Sequence, residues 1–396
     1  MTGCIVRITI DARYINDHFP GIGRYVYNLL LGLAEFDQPH MLVAIYNPDL
    51  PNTRYDMAAL GRYPCIRLVA TRLRPFGLAE QIILPRMLKT MQSQLYHAPY
   101  YVRPYFKLPC PSIVTLYDAI PHLFPHEVSP RARWLFNLLT RQAIRSSRHI
   151  MAISTSARDD LASAYRIPLD RITVTPLAAD RRFQPQSLAA VAAVRAKYDL
   201  PERYVLSLAS NKPHKNLVGL VEAFAQLLKK DQPNLQSPIS NLQLVLAGQW
   251  DPRYPEAQTA VQRLGLSRHV RFLSDFAEAD LPALYSGAEV FAFASRYEGF
   301  GLPPLEAMAC GAPVLCCDRS SLPEVVGDAA MRVAPTPEAL AAGLAKLLGD
   351  DALRMRLRAV GPQRASQFSW RKTAEATLAV YERVAANVRT FERSNV

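Results

Sequence analysis

The chain has 396 residues, of which 49% are apolar and 20% charged, a globular composition that excludes a disordered protein. Its length suits two domains of roughly 150–200 residues each better than one core. The formal net charge of +12 is spread over both halves, so it favours anionic partners in general and indicates no basic tail.

No membrane-spanning or targeting segment is expected. No apolar run approaches the roughly 20 residues that cross a bilayer. The first ten residues become polar too early for a signal peptide and predict a strand. Six cysteines, at positions 4, 65, 110, 310, 316 and 317, lack metal-ligand spacing. They are typical of free thiols in a reducing cytosol, so we expect a cytoplasmic protein.

The first half of the chain alternates short β-branched runs with longer helical patterns. The predicted strands are Val6–Ile10, Leu42–Tyr46, Ile66–Val69, Leu95–His97, Ser112–Leu116, His149–Ser154 and Ile172–Thr175. The predicted helices are Gly23–Ala34, Leu78–Met91, Arg131–Arg145 and Ser156–Tyr165. Alternation at this spacing predicts a parallel sheet covered by helices on both faces.

The second half repeats this alternation. Its predicted strands are Val205–Leu208, Leu242–Ala247, Val270–Leu273, Val290–Phe293, Val314–Cys317 and Met331–Val333. Its predicted helices include Asn216–Lys230, Leu281–Ser286, Pro304–Ala309 and Pro337–Leu348, and Asp351–Val388 holds two more helical patterns. Pro176–Pro185 is the predicted linker and Asp231–Asn241 a surface loop. Parallel sheets bind ligands beyond the carboxyl ends of their strands, so two such domains predict ligand sites that face each other across a cleft.

Residues 294–311 carry the most informative pattern, a strand end followed by Glu-Gly-Phe-Gly-Leu-Pro-Pro-Leu-Glu. Gly299 and Gly301 permit a tight turn, and the two prolines suit the first turn of a helix. The amides at such a helix start form a phosphate site. Glu298 in the loop and Glu306 in the first helical turn are placed to accept hydrogen bonds from sugar and ribose hydroxyls. The alternative is a solvated loop acid and an acid favoured by the helix dipole, which this context makes the minor interpretation.

This segment resembles the E-x7-E signature of the family-four retaining glycosyltransferases, which have the GT-B fold. Further motifs in the family's order are Pro20-Gly21-Ile-Gly23-Arg-Tyr, Lys212-Pro-His-Lys215-Asn and Ser320-Ser-Leu-Pro-Glu324-Val. The resemblance implies an α/β protein of two Rossmann-like domains whose parallel sheets face a central cleft. The implied organisation is an acceptor-binding domain at 1–178, a nucleotide-sugar-binding domain at 179–370, and a helix at 371–396 that crosses back to the first domain.

The resemblance also implies a donor site in the second domain. Glu306 would hold the ribose of the nucleotide. Glu298, with the backbone of Gly299, Phe300 and Gly301, would contact the donor sugar.

The same resemblance implies cations for the diphosphate, which gains negative charge as the glycosidic bond breaks. Lys215 would neutralise it. Many relatives carry an arginine a few residues upstream, whereas this chain reads Ala-Ser-Asn-Lys there, so the second cation is either absent or Lys212. Gly21 would approach the donor phosphates from the first domain.

The first domain supplies the remaining candidates. The family often has a His-Asp pair at the end of its fifth strand, where this chain has Tyr117 and Asp118. In retaining transfer the leaving phosphate is thought to take the acceptor's proton, so these two catalytic-site candidates would shape the acceptor site. His97 is a candidate acceptor-binding residue, with a structural role as the alternative.

No metal cofactor is expected, because no aspartate pair resembles the D-x-D metal site of the other glycosyltransferase fold. On the acceptor side, Arg141, Arg145 and Arg148 share one face of a predicted helix. With the basic stretch from Arg62 to Arg74, this face could meet an acidic membrane surface or a lipid-linked pyrophosphate. The alternative is an ordinary amphipathic helix with its basic side in water.

The expected function is therefore metal-free, retaining transfer of a hexose from a nucleotide diphosphate sugar to a glycan, glycolipid or lipid-linked acceptor. The Lys-Pro-His-Lys-Asn motif resembles relatives that use GDP-mannose, which favours mannose, and UDP-glucose or another UDP-hexose is the alternative. A UDP-sugar 2-epimerase and a nucleotide-sugar or RNA-binding protein remain as other classes. The aromatic and basic residues are not interleaved as RNA binding requires, so no nucleic-acid partner is expected.

Overall fold

The computed structural model describes residues 5–36, 38–229 and 241–393, with side chains described as far as residue 386. Its contacts divide the chain into two units. Unit 1 consists of residues 1–177 and 369–396, and unit 2 of residues 178–368. The loop predicted at Asp231–Asn241 lies outside the described residues except for Asn241.

Unit 1 contains a sheet of seven parallel strands in the order β3-β2-β1-β4-β5-β6-β7. The strands are β1 (Arg7–Asp11), β2 (Met41–Tyr46), β3 (Ile66–Ala70), β4 (Leu95–Ala98), β5 (Ser112–Leu116), β6 (His149–Ala152) and β7 (Ile172–Val174). The helices are α1 (Pro20–Ala34), α2 (Met57–Leu60), α3 (Glu80–Thr90), α4 (Ile120–Leu123), α5 (Pro130–Ser146), α6 (Thr155–Tyr165) and α15 (Trp370–Arg393). All seven strands were predicted, whereas α2 and α4 are too short to give a helical period.

Helices α3, α5 and α6 pack on the same side of this sheet. Leu88 of α3, Ile144 of α5 and Leu161 of α6 join Val114 and Ile150 of the central strands in one buried cluster. Burying an aliphatic side chain of this size contributes roughly 1.5–3 kcal/mol. These three helices therefore form one layer whose outward side is available to solvent.

Helix α15 belongs to unit 1, although residues 178–368 separate it from the rest of that unit. It packs along α1 at a close approach, since a Cβ on Gly32 would lie 2.8 Å from the Trp370 carbonyl oxygen. The Thr373 hydroxyl donates to the Pro176 carbonyl at 2.5 Å. Unit 1 has 25 Lys and Arg against 15 Asp and Glu, of which residues 369–396 supply 5 against 3, and unit 2 has 21 against 19. Counted over these two units, the basic excess therefore lies mainly in unit 1.

A buried ionic cluster fixes the end of β1. The Arg13 guanidinium donates to both Asp11 carboxylate oxygens at 2.8 and 2.6 Å and to Glu80 at 2.9 Å. The Tyr96 hydroxyl donates to Asp11 at 3.0 Å. Burial raises the pKa of Glu80 to about 7, against the lowering effect of Arg13. The cluster ties α3 to β1 and to β4, so it supports the carboxyl edge of the sheet.

Unit 2 contains a sheet of six parallel strands in the order β10-β9-β8-β11-β12-β13. The strands are β8 (Arg203–Leu208), β9 (Leu242–Ala247), β10 (Val270–Leu273), β11 (Val290–Phe293), β12 (Val314–Cys317) and β13 (Met331–Val333). The helices are α7 (Leu188–Lys197), α8 (Leu217–Lys229), α9 (Glu256–Arg263), α10 (Leu281–Gly287), α11 (Leu302–Ala309), α12 (Leu322–Val326), α13 (Pro337–Gly349) and α14 (Asp351–Ala365). All six strands were predicted, and α7, α9 and α12 were not.

Both sheets reverse their strand order at one point, between β1 and β4 in unit 1 and between β8 and β11 in unit 2. In open parallel sheets, ligands bind beyond the carboxyl ends of the strands at this reversal. The loops after β1, β4, β8 and β11 are therefore where a functional site is expected.

Three buried histidines make a testable prediction about acid stability. Burial lowers the pKa of His97 and His214 to about 3 and that of His149 to about 4. An unfolded chain takes up these protons near the ordinary pKa of 6.5, before the folded chain does. The contribution of these neutral histidines to the free energy of unfolding is therefore fully present above about pH 6.5. It is lost progressively as the pH is lowered towards 4. Melting temperatures measured across this range should fall on acidification, and less steeply in His97→Gln. A melting temperature that rises on acidification would contradict this assignment.

Candidate active site

The loop that follows β11 leads directly into α11. Gly301 has φ +106°, and a Cβ there would lie 2.7 Å from Leu322 Cδ2, so the turn requires glycine. Pro303 and Pro304 occupy the first turn of α11, and no side chain caps this helix. The uncapped helix start can therefore accept an anionic group.

Lys215 and Glu298 meet at the strand-order reversal of unit 2. Lys215 ends a 3-10 turn, Pro213–Lys215, that follows β8, and Glu298 lies in the loop after β11. The Lys215 ammonium donates to both carboxylate oxygens of Glu298, at 2.7 and 2.9 Å. The two side chains are 19% and 11% exposed, so the pair is largely desolvated but still reachable from solvent.

Backbone hydrogen bonds hold the loops of this pair together. The carbonyl of His214 accepts from the Arg296 amide at 2.8 Å and from the Ser295 hydroxyl at 3.3 Å. His214 itself is buried, and burial together with Lys215 and Lys212 lowers its pKa to about 3, so it stays neutral. The loops after β8 and β11 are therefore fixed to each other next to the ion pair.

Two serines after β12 clamp the same loop from the other side. The Ser321 hydroxyl, which is fully buried, donates to the carbonyls of Glu298 at 2.9 Å and Phe300 at 2.7 Å. The Ser320 hydroxyl accepts from the Glu298 amide at 2.9 Å. These serines belong to a motif noted in the sequence, but their contact with the loop was not predicted. Adjacent hydroxyls after the neighbouring strand were the only signal.

Glu306 lies deeper than the sequence indicated. It is the fifth residue of α11, because the helix begins at Leu302 and not at Pro304. The expected place in the first turn is therefore wrong by one residue. Its carboxylate accepts from the Tyr285 hydroxyl at 3.1 Å, and the residue is only 1% exposed. A ligand reaches this carboxylate only if neighbouring side chains move.

Two further cations lie beside the pair. Lys212 and Arg296 are exposed and line one groove, of about 220 Å3, together with Asn216 and Glu256. Neither the Lys212 ammonium nor the Arg296 guanidinium makes a hydrogen bond or ion pair with the described residues. Lys212 and Arg296 are therefore both candidates for the second cation, whereas the sequence analysis named only Lys212.

In unit 1, Gly21 is the second residue of α1, which begins at Pro20 and has no side-chain cap. A Cβ on Gly21 would meet no atom within 4 Å, so the fold does not require glycine here. By contrast, a Cβ on Gly23 would lie 3.0 Å from the Tyr14 carbonyl oxygen. The first turn of α1 is therefore open, and its glycine at position 21 has no explanation in packing.

Tyr117 and Asp118 directly follow β5. The Tyr117 hydroxyl is buried without a hydrogen-bond partner among the described residues, and its ring packs edge-on against Tyr25 at 5.9 Å. Burial raises the pKa of Tyr117 well above its ordinary value, so it stays protonated at neutral pH. Asp118 accepts from the Ile120 amide at 2.9 Å, at the start of α4.

His97 lies inside unit 1 and is fully buried. Its two ring nitrogens lie 2.6 Å from the Tyr381 hydroxyl of α15 and 2.8 Å from the Thr115 hydroxyl. Thr115 in turn contacts the Tyr25 hydroxyl at 3.0 Å. These contacts favour the structural alternative for His97, and contact with an acceptor stays a prediction.

Three general features hold for residues 5–36, 38–229 and 241–393. Within these ranges no helix is long and apolar enough to cross a membrane. In the same ranges, no three His, Cys, Asp or Glu side chains are grouped so as to hold a metal ion. The five cysteines that can be described, at 65, 110, 310, 316 and 317, are free thiols.

The class of protein follows from the two units together. Each is a doubly wound parallel sheet with its ligand edge at the strand-order reversal, and two such units in one chain form the GT-B fold of glycosyltransferases.

Residues 193–364 match the family model of glycosyl transferases group 1, and residues 20–183 match that of glycosyltransferase family 4. Over 378 residues the chain is 33% identical to the O-antigen chain mannosyltransferase B of Escherichia coli, with 91% of this chain and 96% of that protein covered. The chain belongs to the group 1 glycosyltransferases and is a hexosyltransferase.

Solved structures agree with the fold. Sucrose-phosphate synthase from Thermosynechococcus elongatus superposes with a TM-score of 0.71 at 20% identity, over 97% of this chain and 100% of that one. Anabaena Alr3699/HepE in complex with UDP and glucose superposes with a TM-score of 0.69 at 19% identity, over 96% and 99%. At these identities the likeness concerns the fold alone.

The hydrogen bonds of Ser321 to the loop of Glu298 lead to a prediction about catalysis. Ser321→Ala leaves two buried carbonyls without their donor, so the loop that carries Glu298 should lose its fixed position. We expect kcat/KM for hexosyl transfer to fall by about 10- to 100-fold, from the loss of about 1.5–3 kcal/mol of hydrogen bonding. Ser366→Ala, at an exposed hydroxyl directly after α14, is the matched control and should leave kcat/KM unchanged. Equal activity of the two variants would exclude a positioning role for Ser321.

Proposed function

We propose that this hexosyltransferase transfers mannose from GDP-mannose, with retention of configuration, to a growing glycan. The observation that carries the proposal is the pairing of Lys215 with Glu298 beside the uncapped start of α11. The donor sugar is argued from the relative named O-antigen chain mannosyltransferase B, which matches nearly the full length of both chains. The same name supports a polysaccharide as the acceptor.

Lys215 and Glu298 have complementary roles in this proposal. A diphosphate carries more negative charge than a carboxylate. When the donor binds, the Lys215 ammonium therefore leaves its ion pair with Glu298 and pairs with the diphosphate. Glu298 is then free to accept hydrogen bonds from the sugar hydroxyls, while the amides of Gly299, Phe300 and Gly301 face the phosphates. As the glycosidic bond breaks, negative charge grows on the leaving nucleotide next to Lys215.

Three further residues are proposed to contribute to the donor site. Glu306 accepts the ribose hydroxyls in place of the Tyr285 hydroxyl that it now binds. Gly21 is kept as a donor-contact candidate from the family resemblance of its loop; it lies in the uncapped first turn of α1, where packing does not need glycine. Lys212 supplies a further positive charge from the groove beside Lys215.

The proposed reaction uses no metal ion and no protein base. The lysines and helix-start amides provide the positive charge that a divalent cation would otherwise supply. The acceptor hydroxyl gives its proton to the leaving phosphate on the same face of the sugar. Tyr117 keeps its own proton at neutral pH because burial raises its pKa, so it does not take the acceptor's proton, and Asp118 accepts a hydrogen bond from the start of α4. Both residues are therefore proposed to shape the acceptor site.

UDP-glucose is the second candidate donor. The observation in its favour is that a solved neighbour, Anabaena Alr3699/HepE, binds UDP and glucose. The lower identity of that protein makes GDP-mannose the first choice.

Nucleotide release tests the proposal. Purified protein is incubated with GDP-mannose or UDP-glucose and a polysaccharide acceptor in the presence of EDTA. GDP release should exceed UDP release and should not depend on the chelator. Lys215→Met and Glu298→Gln should each lower kcat by about 100- to 1000-fold, the usual loss when one preorganised charge is removed. Lys346→Met, at an exposed position of α13, is the matched control.

Two outcomes would contradict it. Activity that EDTA abolishes and a divalent cation restores would overturn the metal-free mechanism. Full activity in both Lys215→Met and Glu298→Gln would overturn the proposed site.

A further inference from the structure

The outward face of α5 has an unusual composition for a surface helix. Trp134, Leu135 and Leu138 are 66%, 48% and 39% exposed, although α5 already buries Thr140, Ala143 and Ile144 against the sheet. The helix has four arginines and no acidic residue. An apolar patch of this kind, flanked by positive charge, is typical of contact with a membrane surface or a partner.

The apolar patch continues into a basic groove. Trp134, Leu138, Arg141 and Arg145 follow one another at spacings of four, three and four residues, so they form one stripe along α5. Arg141 and Arg145 line a groove of about 600 Å3 with Arg166, which ends α6 in the left-handed conformation. No acidic residue lines this groove.

The three groove arginines have no counter-charge. None of Arg141, Arg145 and Arg166 makes a hydrogen bond or ion pair within the described part of the chain. Three exposed guanidinium groups around one groove repel each other unless an anion lies between them. The guanidinium fork binds two oxygens of a phosphate at once, so a phosphate is an anion that this groove fits.

Other parts of unit 1 also expose apolar side chains and carry positive charge. Helix α3 lies in the same layer as α5 and α6 and exposes Ile82 and Ile83. Among the exposed large apolar side chains that the structure describes, twelve belong to unit 1 and two to unit 2. The basic excess of the sequence also lies in unit 1. Apolar exposure and positive charge are therefore concentrated in the same unit.

We propose that the stripe of α5 and the groove of Arg141, Arg145 and Arg166 form a docking surface for an anionic phospholipid bilayer. The arginines bind lipid phosphates, and Trp134, Leu135 and Leu138 enter the interfacial region of the bilayer. The helix lies along the surface and does not cross it. A second copy of the chain is a poor occupant, because a two-fold contact through this face would bring the arginines of both copies together. The proposal concerns unit 1 alone and does not rest on the donor or on the transfer reaction.

Vesicle binding of the full chain tests the docking surface. The probes are vesicles of phosphatidylcholine alone and of phosphatidylcholine mixed with an equal amount of phosphatidylglycerol. The wild type should sediment with the anionic vesicles only. Each arginine near an anionic bilayer strengthens binding about fivefold, so the triple variant Arg141→Gln, Arg145→Gln, Arg166→Gln should bind about 100-fold more weakly.

The matched control removes the same charge from unit 2. The triple variant Arg263→Gln, Arg268→Gln, Arg356→Gln, at exposed positions, should keep wild-type vesicle binding. A second readout is tryptophan fluorescence, which should shift to the blue on anionic vesicles and do so much less in Trp134→Phe. Nucleotide release onto a soluble acceptor without vesicles should be the same in both triple variants, so a failure of docking is separable from a failure of catalysis.

Three results would overturn the proposal. The first is an absence of wild-type binding to anionic vesicles. The second is an equal loss of binding in the two triple variants. The third is a dimer in sedimentation experiments that Arg141→Gln, Arg145→Gln, Arg166→Gln dissociates, which would assign the surface to a second copy.

Discussion

The contact between Lys215 and Glu298 is the interaction on which the account of the donor site depends. A lysine and an acid that are both largely removed from water gain little net stability from each other, because desolvation offsets most of their attraction. Their pairing therefore serves less to hold the fold than to keep both charges at the strand-order reversal. In the proposed function, an arriving diphosphate would find the Lys215 ammonium in position, and the Glu298 carboxylate would already lie beside the sugar. Preorganisation of this kind avoids the cost of rearranging solvent during the reaction.

The rest of unit 2 keeps this pair in place. Parallel strands bring the loops after β8, β11 and β12 to one edge, and their connections are then fixed by backbone groups and not by further charges. His214, Ser320 and Ser321 contribute a carbonyl and two hydroxyls to that end. Unit 1 follows a different plan. A buried cluster of Asp11, Arg13 and Glu80 supports its carboxyl edge, and the open start of α1 is left without a cap.

The strands and the family were readable from the sequence, and much of the site was not. Buried parallel strands appear as short β-branched runs, so every strand was predicted. The segment from Glu298 to Glu306 marked both acids as candidate site residues, and their role stays a prediction. Short helices such as α4 were not predicted, because four residues make only one turn and cannot show a repeated helical pattern. The residues that contact the two acids were not predicted either. Ser321, the partner of Glu298, and Tyr285, the partner of Glu306, each lie about 20 residues away along the chain. Such pairs come into contact only in the folded chain, so no pattern of neighbouring residues in the sequence predicts them.

Calorimetric titration with nucleotides tests the central claim most directly, since it needs neither an acceptor nor turnover. The claim is that Lys215 beside the start of α11 binds the second phosphate of the donor nucleotide. The account predicts that the wild type binds GDP at least about tenfold more tightly than GMP, a difference of about 1.4 kcal/mol. Lys215→Met should bind the two nucleotides with nearly equal affinity. Equal affinities in the wild type, or an unchanged preference for GDP in Lys215→Met, would contradict the account.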